Sequence, residues 1–590
     1  MKKFGMVLLL VFTVVLSAHA SNPKISPELQ NAPANQTVQV IVQYAPGTQL
    51  NCSGLLGLVD CVVNDVTKLG GTVISALPLV NGLVAQLTGG GILNLANDPR
   101  VVYISSDRAV NPTLSNAAPA VNAFAAWQAG YTGTGIGVAV IDSGVYNHPD
   151  LKGGFLGLSR VVWNQSFVPG NSSANDQYGH GTHIAGLIAG NGASSTGPQY
   201  TRSFQGIAPG ANIVNLRVLD QNGAGTDSAV IAAISQAIAL KSLFNIRVIN
   251  LSLGRPIYES YKLDPVCQAA EMAWKNGIVV VVAAGNNGRY QPTEGYGTIT
   301  SPGNDPYVIT VGATKPEGTP TRVDDLMASY SSKGPTALDA VAKPDLVAPG
   351  NLLVSLEAPG STLYNEYPGN QVPYNFYMNG GSTASSSTYF TLSGTSMAAG
   401  VVSGVVADLL QQNPRLTPDQ IKARLMKTAW KSLPAFSSVT DPTTGITYTD
   451  QDDVFTVGAG YVDVEAAMAN TDLAKGTAMS PVATFNGTSN TVSLVPNASS
   501  VWVTTSAWSY PLVWGSSQFV TGTTESSVAS TASGSSELWG SNAMWGTNAM
   551  WGTNAMWGTN AMWGTNAMWG TNAMWGTNAM WGTNSSAGEQ

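Results

Sequence analysis

The sequence contains little charge, few cysteines and few histidines. Only 10% of its 590 residues are charged, against about 25% in ordinary globular domains. The formal net charge of −8 gives no basic face of the kind that binds nucleic acid. Three cysteines without a Cys-x-x-Cys spacing exclude a disulfide-dense scaffold and a zinc–thiolate site. Whether Cys52 and Cys61 pair with each other is left open by the sequence.

Long apolar runs are also rare, and the run at the N-terminus is short. Lys2 and Lys3 precede a mostly apolar segment, residues 4–16, and a stretch of small residues that ends at Ala20. This order is typical of a secretory signal peptide, which we place at residues 1–20. A membrane span needs about 20 apolar residues, so the segment is too short for an anchor. The sequence therefore predicts an exported protein, secreted or retained at the cell surface by other means, with no transmembrane span after signal removal.

Residues 21–110 are predicted to form a small separate α+β unit. Apolar and polar residues alternate over residues 38–44, which is typical of a strand. A short helix is indicated at residues 92–96 and a further strand at residues 101–104. The composition then loosens over residues 111–119, which we interpret as a linker.

Residues 120–470 show an alternation of strand and helix patterns. Apolar, nearly unbroken strands with helices between them indicate a parallel sheet that is covered on both faces, an α/β fold. The strands are predicted at residues 136–141, 213–218, 247–252, 278–284 and 308–311, and the helices at residues 183–189, 226–241 and 265–275. Thr417 and Gln420 have the spacing of a capping box, so a last helix is predicted to begin there.

The C-terminal part has a different character. Residues 471–536 contain short strand patterns and form an extension that we expect to be β-structured. In residues 537–590 the unit Ala-Met-Trp-Gly-Thr-Asn occurs seven times without change between Ala543 and Asn584. An even period lets each copy present the same face of an extended chain, so a stacked β-solenoid is one reading and disorder is the other. Such a tail could bind the cell surface or self-associate.

Four polar residues lie where the predicted elements begin or end. Asp142 and Asn286 follow buried strands, while His180 and Ser396 open helical patterns. Because ligands bind at the carboxyl ends of parallel strands, we expect these residues to converge on one edge of the sheet. Each residue alone has another explanation. Asp142 and Asn286 could simply belong to turns and Ser396 could be a helix cap, while His180 and His183 could be a pair of metal ligands.

Together the four residues supply what acyl transfer needs. Ser396 is a weak nucleophile, and His180 is suited to take its proton near neutral pH. Asp142 can hold the imidazole in one tautomer and stabilise its cation. Asn286 and the backbone N–H of Ser396, at a helix start, can donate hydrogen bonds to an oxyanion. This chemistry requires no cofactor.

The segments around these residues resemble the subtilisin-like serine proteases over residues 120–470. The order Asp, His, Ser is that of subtilisin. The matching segments are Val-Ala-Val-Ile-Asp142-Ser-Gly, His180-Gly-Thr-His-Ile-Ala-Gly, Asn250-Leu-Ser-Leu-Gly254, Ala-Ala-Gly-Asn286, Ser331-Ser-Lys-Gly-Pro335, Lys343-Pro-Asp-Leu-Val-Ala-Pro-Gly350 and Gly394-Thr-Ser396-Met-Ala.

The resemblance implies an endopeptidase that acts on proteins or peptides. It implies a triad of Asp142, His180 and Ser396 with Asn286 as oxyanion donor, and residues 21–110 as a propeptide that inhibits the enzyme until cleaved. It also implies two edges that pair with the substrate backbone. These edges comprise Ser252, Leu253 and Gly254 on one side and Gly223, Ala224 and Gly225 on the other.

Some positions depart from the family pattern. Asp150 matches a family calcium ligand, but the segment after Ala189 does not resemble the usual calcium loop, so structural calcium is an open expectation. Gly400 stands where proline is usual, and Arg255 where a second glycine is common, which suggests an altered specificity pocket. Residues 351–393 form a long insertion that could cover the cleft as a flap.

Two functions are therefore compared. The first is a secreted serine endopeptidase that is made as a self-processing proenzyme, with its own propeptide as intramolecular inhibitor. The second is a catalytically inactive peptide-binding or surface-adhesive protein that uses the Trp repeat. The intact set of Asp142, His180, Asn286 and Ser396 favours the first.

Overall fold

A computed structural model describes most of the chain between residues 22 and 530. The described residues are 22–26, 29–30, 32–48, 50, 62–107, 109–112, 119–153, 157–317, 321–486, 491–503, 513–514, 517–521 and 526–530. The predicted signal peptide, Cys52, Cys61 and the hexapeptide repeat lie outside these residues. The chain divides into two compact units, one of residues 1–76 and 83–106 and one of residues 77–82 and 107–590.

The smaller unit is a four-stranded sheet with two short helices. The strands lie in the order β2-β3-β1-β4, and β1 and β4 are antiparallel. Its core contains Val40, Val42, Leu83, Ile92 and Ile104, all fully or almost fully buried. The strands and helix predicted here are present. The elements are β1 (Thr37–Tyr44), α1 (Val62–Lys68), β2 (Thr72–Leu77), β3 (Gly82–Thr88), α2 (Gly89–Leu95) and β4 (Val101–Ser106).

The larger unit is built on a parallel sheet, which confirms the predicted α/β fold. Its strands follow the order β16-β15-β14-β12-β6-β10-β9, with β17 beside β15, and only the short β16 runs antiparallel among the described strands. The strands are β6 (Gly137–Asp142), β9 (Val161–Ser166), β10 (Asn212–Arg217), β12 (Ile246–Leu251), β14 (Val279–Ala283), β15 (Ile309–Lys315), β16 (Leu326–Met327) and β17 (Leu346–Pro349).

Helices cover both faces of this sheet. On one face α9 crosses the central strands and packs against α4, and on the other α5 packs beside α6. Residues 395–410 of α9 are all buried, as expected for a core helix. The predicted capping box at Thr417 and Gln420 is formed. The helices are α3 (Ala123–Gln128), α4 (His180–Ala189), α5 (Asp227–Phe244), α6 (Pro265–Lys275), α9 (Thr395–Gln412), α10 (Pro418–Thr428), α11 (Val454–Val457) and α12 (Val464–Ala469).

The insertion at residues 351–393 folds beside α4. It forms a small sheet in the order β18-β20-β19 and packs aromatic rings, such as Tyr377 and Tyr389, against Phe204 of the segment that follows α4. One corner of the insertion reaches the chain just before His180, where Thr362 N–H and Leu363 N–H donate to the carbonyls of Gln177 and Tyr178. The Thr362 hydroxyl also donates to the carbonyl of Gln221 at 2.6 Å. The insertion is therefore mainly a side wall, and this corner borders the predicted substrate edge. Its elements are β18 (Leu353–Leu356), α7 (Thr362–Glu366), β19 (Gln371–Pro373), α8 (Tyr374–Tyr377) and β20 (Ser385–Leu392).

Short strands and the C-terminal extension complete the larger unit. The extension is tied to the preceding fold, because Ala342 N–H donates to the carbonyl of Pro481 and Ala483 N–H to that of Ala340. Its five strands form one sheet in the order β23-β24-β27-β26-β25. The remaining strands are β5 (Ala109–Pro112), β7 (Lys152–Gly153), β8 (Leu158–Ser159), β11 (Gly225–Thr226), β13 (Leu253–Gly254), β21 (Phe436–Thr440), β22 (Thr447–Gln451), β23 (Val482–Asn486), β24 (Thr491–Val495), β25 (Val513–Trp514), β26 (Ser517–Thr521) and β27 (Ser526–Ser530).

One helix in the described part of the chain, Asp227–Phe244, is long and apolar enough to cross a membrane by length and composition. In the fold it packs between the sheet and α6, with 44% of its residues buried. The core helices of soluble proteins pass the same test, so this is weak evidence for a span.

Candidate active site

Asp142 and His180 meet at the carboxyl edge of the sheet. Asp142 is the last residue of β6 and His180 the first residue of α4. His180 Nδ1 lies 2.8 Å from Asp142 Oδ1, and both side chains are fully buried. Ser143 N–H donates to the same oxygen at 2.7 Å. A buried carboxylate at this distance from Nδ1 keeps the proton on that nitrogen, so Nε2 is left as the basic atom.

Asp176 holds the backbone around His180 and was missed in the sequence. It accepts hydrogen bonds from Gly179 N–H at 2.7 Å, from Thr182 N–H at 2.8 Å and from the Ser143 hydroxyl at 2.9 Å. Burial raises the pKa of Asp176, although the bonds from Thr182, Gly179 and Ser143 act against that effect. The available signal was an aspartate four residues before His180, close enough to accept from the unpaired N–H groups at the start of a helix.

Ser396 lies in the first turn of α9, after an N-cap at Gly394. Its hydroxyl donates to the carbonyl of Ser252 at 3.1 Å, and the Ser252 hydroxyl donates to the carbonyl of Ser396 at 2.6 Å. Asn250 in turn donates to the Ser252 hydroxyl. These bonds fix the start of α9 against the end of β12, so the helix N-terminus and the sheet edge form one rigid corner.

Asn286 is oriented by the residue before Ser396. Its Oδ1 accepts hydrogen bonds from Thr395 N–H at 3.0 Å and from the Thr395 hydroxyl at 2.9 Å. The same hydroxyl accepts from Gly285 N–H. Because Oδ1 is held in this way, the NH2 end of the amide faces away from Thr395. This is the orientation that an oxyanion donor needs.

A strand of the chain itself lies between the two predicted substrate edges. The strand β5 is the centre of a three-stranded sheet in the order β11-β5-β13, and both of its neighbours are antiparallel to it. The aligned pairs are Thr226 with Ala109, Gly225 with Val110, Gly254 with Asn111 and Leu253 with Pro112.

The predicted edge residues do not all take part in this pairing. Gly223 and Ala224 lie in a turn in which Ala224 N–H donates to Asp220 Oδ1 at 3.0 Å, and they precede the paired strand. Ser252 uses its hydroxyl to hold Ser396, as described above. Gly225, Leu253 and Gly254 are the predicted residues that form the paired strands.

The surroundings of Asp150 do not fit a calcium ion. Its Oδ1 accepts from Ser194 N–H at 2.8 Å and its Oδ2 from the Tyr389 hydroxyl at 2.7 Å. The Asp150 carbonyl accepts from Asn191 N–H and from the Arg160 guanidinium. Calcium needs six to eight oxygen ligands, whereas the atoms that approach Asp150 are hydrogen-bond donors.

The alternative of a metal pair at His180 and His183 is not formed. His183 Nε2 donates to the carbonyls of Leu353 and Phe390, and burial, followed by the nearby His180, lowers its pKa well below the usual range. Among the residues that the structure describes, no group of three or more His, Cys, Asp or Glu side chains could hold a metal ion. His183 instead ties α4 to the insertion.

Comparisons of the chain with known proteins point to one family. The subtilase family model, Peptidase_S8, matches residues 133–460. The serine protease AprX of Bacillus subtilis strain 168 is 39% identical over 356 residues, which are 59% of this chain and 73% of that protein. Subtilisin DY of Bacillus licheniformis is 32% identical over 350 residues, which are 59% of this chain and 96% of that protein.

A solved structure has the same fold. The crystal structure of fervidolysin from Fervidobacterium pennivorans, a keratinolytic enzyme related to subtilisin, matches with a TM-score of 0.53 at 24% identity. The match covers 75% of this chain and 62% of the fervidolysin chain. At this identity the likeness concerns the fold alone.

Proposed function

The chain belongs to the subtilase family of serine proteases, and on this basis we propose that it is a secreted endopeptidase made as a self-processing proenzyme. Ser396 is the nucleophile, His180 the general base and Asp142 the residue that orients His180. Asn286 and the backbone N–H of Ser396 stabilise the oxyanion. The substrates are proteins or peptides that bind in an extended conformation.

The proposed reaction proceeds through an acyl-enzyme. Ser396 Oγ attacks the scissile carbonyl while His180 Nε2 takes its proton, and the carbonyl oxygen becomes an oxyanion. His180 then gives that proton to the leaving amine as the C–N bond breaks. Water, deprotonated by His180, attacks the acyl carbon and releases the acid. The buried Asp142 carboxylate stabilises the imidazolium in both halves of the reaction.

The observation that carries the proposal is the strand β5 between β11 and β13. This pairing supports the proposal, because backbone hydrogen bonds to an extended polypeptide are the mode in which proteases bind peptides. Because β5 belongs to the segment that joins residues 21–110 to the larger unit, the bound peptide is the enzyme's own. The same segment is anchored by Asp107, which accepts from Ser228 N–H at 2.7 Å and from the Ser228 hydroxyl at the start of α5.

The experiment compares the secreted wild-type protein with the Ser396→Ala variant. A fluorophosphonate probe should label the wild type and not the variant, and the variant should remain full length because it cannot cleave the segment 111–119. Ser437→Ala, which removes another buried serine hydroxyl whose partners are Met327 N–H and Asp452, should be labelled and processed like the wild type. Peptide hydrolysis by the Ser396→Ala variant would disprove the assignment, and normal trimming of that purified variant would disprove self-processing alone.

The proposal extends to export and to the repeat, whose residues lie outside the described part of the chain. A protein with residues 1–20 as a signal peptide is released from the cell, and residues 537–590 would retain it at the surface or promote self-association. Deletion of residues 537–590 should therefore leave hydrolysis of a short soluble peptide unchanged. A large fall in turnover would show that the tail supports the catalytic unit.

A further inference from the structure

Arg255 is a fully buried arginine that follows the substrate edge directly. It comes after Gly254 of β13 and its side chain is only 2% exposed. Its Nε lies 2.9 Å from Asp227 Oδ1, and its Nη2 lies 2.9 Å from Asp264 Oδ2. A buried guanidinium needs such paired partners, because an unpaired charge in the interior is very costly.

The partners of Arg255 belong to elements that shape the cleft. Asp227 is the first residue of α5 and directly follows β11, the opposite substrate edge. Asp264 is the N-cap of α6 and also accepts from the Ser301 hydroxyl at 2.6 Å. One side chain therefore connects β13, the β11–α5 junction and the start of α6.

The backbone of Arg255 adds a further connection. Its N–H donates to the carbonyl of Ser301 at 3.0 Å, and Ser301 N–H donates to the carbonyl of Arg255 at 2.8 Å. Burial alone lowers the pKa of Arg255, but Asp227, Asp264 and Glu259 together raise it well above its ordinary value. The guanidinium therefore stays charged among these carboxylates.

We propose that Arg255 is a positioning residue for peptide binding, which sets the separation of β11 and β13 so that an extended substrate pairs with both. The inference rests on the proposed function of this cleft. A peptide that pairs on both sides needs its neighbours about 4.8 Å away on each side. A shift of one edge breaks one row of hydrogen bonds with the peptide. The bonds that orient His180 and Asn286 come from residues outside both edges.

The identity of the residue matters for this role. The planar guanidinium reaches Asp227 and Asp264 at once through different nitrogens, whereas a lysine ammonium is a single point charge on a flexible stem. Arg255→Lys therefore keeps the positive charge among the carboxylates but loses the double connection. A residue that acted only in stability would lower the melting temperature without selecting among substrates.

The test uses the matured enzyme and two substrates. The first is a peptide long enough to pair with β11 and β13, and the second is p-nitrophenyl acetate, which is too small to reach either edge. For Arg255→Lys we expect KM for the peptide to rise about tenfold or more, with kcat and ester hydrolysis within about twofold of wild type. Equal effects on peptide and ester, or an unchanged KM for the peptide, would overturn the proposal.

Controls separate positioning from stability and from the proposed function. Arg160→Lys alters another mostly buried arginine, which donates to the carbonyls of Ala211, Asp150 and Ala189. It should lower the melting temperature and leave both KM values unchanged. If Arg255→Lys does not fold, Asp227→Asn should give the same peptide-selective KM increase, and its absence would overturn the proposal. Failure of the fluorophosphonate probe to label wild type would instead refute the proposed function.

Discussion

The two ends of α4 are built differently. At its N-terminal end, His180 is held by the carboxylates of Asp142 and Asp176, which fix side chain and backbone by short hydrogen bonds. At its C-terminal end, the following segment is held by Asp150, which accepts from Ser194 N–H and from the hydroxyl of Tyr389 in the insertion. Tyr389 belongs to a cluster of aromatic rings that includes Phe204 of the same segment. In the proposed function the first arrangement orders groups for the reaction, whereas the second stabilises the fold. Changes at the two ends should therefore separate rate from stability.

The largest expected effect concerns the proposed active site of Asp142, His180, Asn286 and Ser396. Asn286→Ala should fold with a near-normal melting temperature and lose about 10²–10³ in kcat, because the proposed oxyanion donor is missing while the proposed triad is intact. Steady-state kinetics on a short peptide measure this loss. An unchanged kcat would mean that another group donates to the oxyanion. Thr395→Val, which removes one of the two bonds that orient Asn286, should reduce kcat by a smaller factor.

The positions of the candidate active-site residues could be predicted from the sequence, because they depend on local patterns. Strand ends and helix starts fix where Asp142, His180 and Ser396 stand, and parallel strands bring such positions to one edge. The contacts of Arg255 could not be predicted, because Asp227 and Asp264 come from helices whose packing depends on the whole sheet. The same holds for Tyr389, which meets Asp150 only after the insertion has folded beside α4. Calcium was an open expectation at Asp150 because a sequence does not show which donors surround a carboxylate.

The next prediction concerns the pH dependence of stability and a residue of the insertion. Glu357, at the end of β18, is 2% exposed, neither carboxylate oxygen has a hydrogen-bond partner among the described residues, and burial raises its pKa to about 8. The folded state therefore keeps a proton that the unfolded chain releases above its ordinary pKa of 4.5. The resulting stability is fully present below about pH 4.5 and is lost as the pH rises to about 8.

Glu357→Gln should remove this pH dependence. Each pH unit in the window changes the free energy of unfolding by up to about 1.4 kcal/mol. Allowing for relaxation around the carboxylate, we expect the variant to gain about 2–3 kcal/mol relative to wild type between pH 5 and pH 8. Denaturant unfolding in the Ser396→Ala background, which prevents self-digestion, measures the difference. Parallel pH profiles for the two proteins would show that Glu357 is already ionised in the folded state.

The third prediction concerns the stability of the segment that follows α4. Tyr389→Phe removes a hydroxyl that lies 2.7 Å from Asp150 Oδ2 and 2.9 Å from Ser195 Oγ. A buried hydrogen bond to a charged group contributes roughly 1.5–3 kcal/mol, so the melting temperature should fall while kcat stays the same. Tyr200→Phe is the control, because its ring stacks on Tyr377 in the same cluster and its hydroxyl has no partner among the described residues.

Calcium should not matter at this site. Because donors already occupy the Asp150 oxygens, wild type and Asp150→Asn should show the same response of the melting temperature to a chelator and to millimolar calcium. A calcium-dependent rise that Asp150→Asn abolishes would show that an ion displaces the Tyr389 hydroxyl.

The smallest expected effect lies midway between the two ends, where α4 packs against α9. A Cβ added to Gly400 of α9 would lie 3.6 Å from Leu187 Cβ and 3.7 Å from Ile184 Cγ2, which is ordinary contact and not overlap. Gly400→Ala should therefore stabilise the fold by about 0.5–1 kcal/mol, since alanine restricts the unfolded chain and suits a helix.

Gly404 of α9 should respond in the opposite way, with a loss of stability. A Cβ added to Gly404 would lie only 2.6 Å from Ile207 Cβ, so Gly404→Ala should destabilise by about 1–3 kcal/mol through overpacking. Both variants are best compared by denaturant midpoint in the Ser396→Ala background. Because a Cβ on Gly400 would contact Leu187 and Ile184 of α4 and not His180, its replacement should leave the kcat of the active enzyme unchanged. A fall in kcat for Gly400→Ala would mean that the packing of α4 on α9 also sets the position of His180, and that the two ends are not independent.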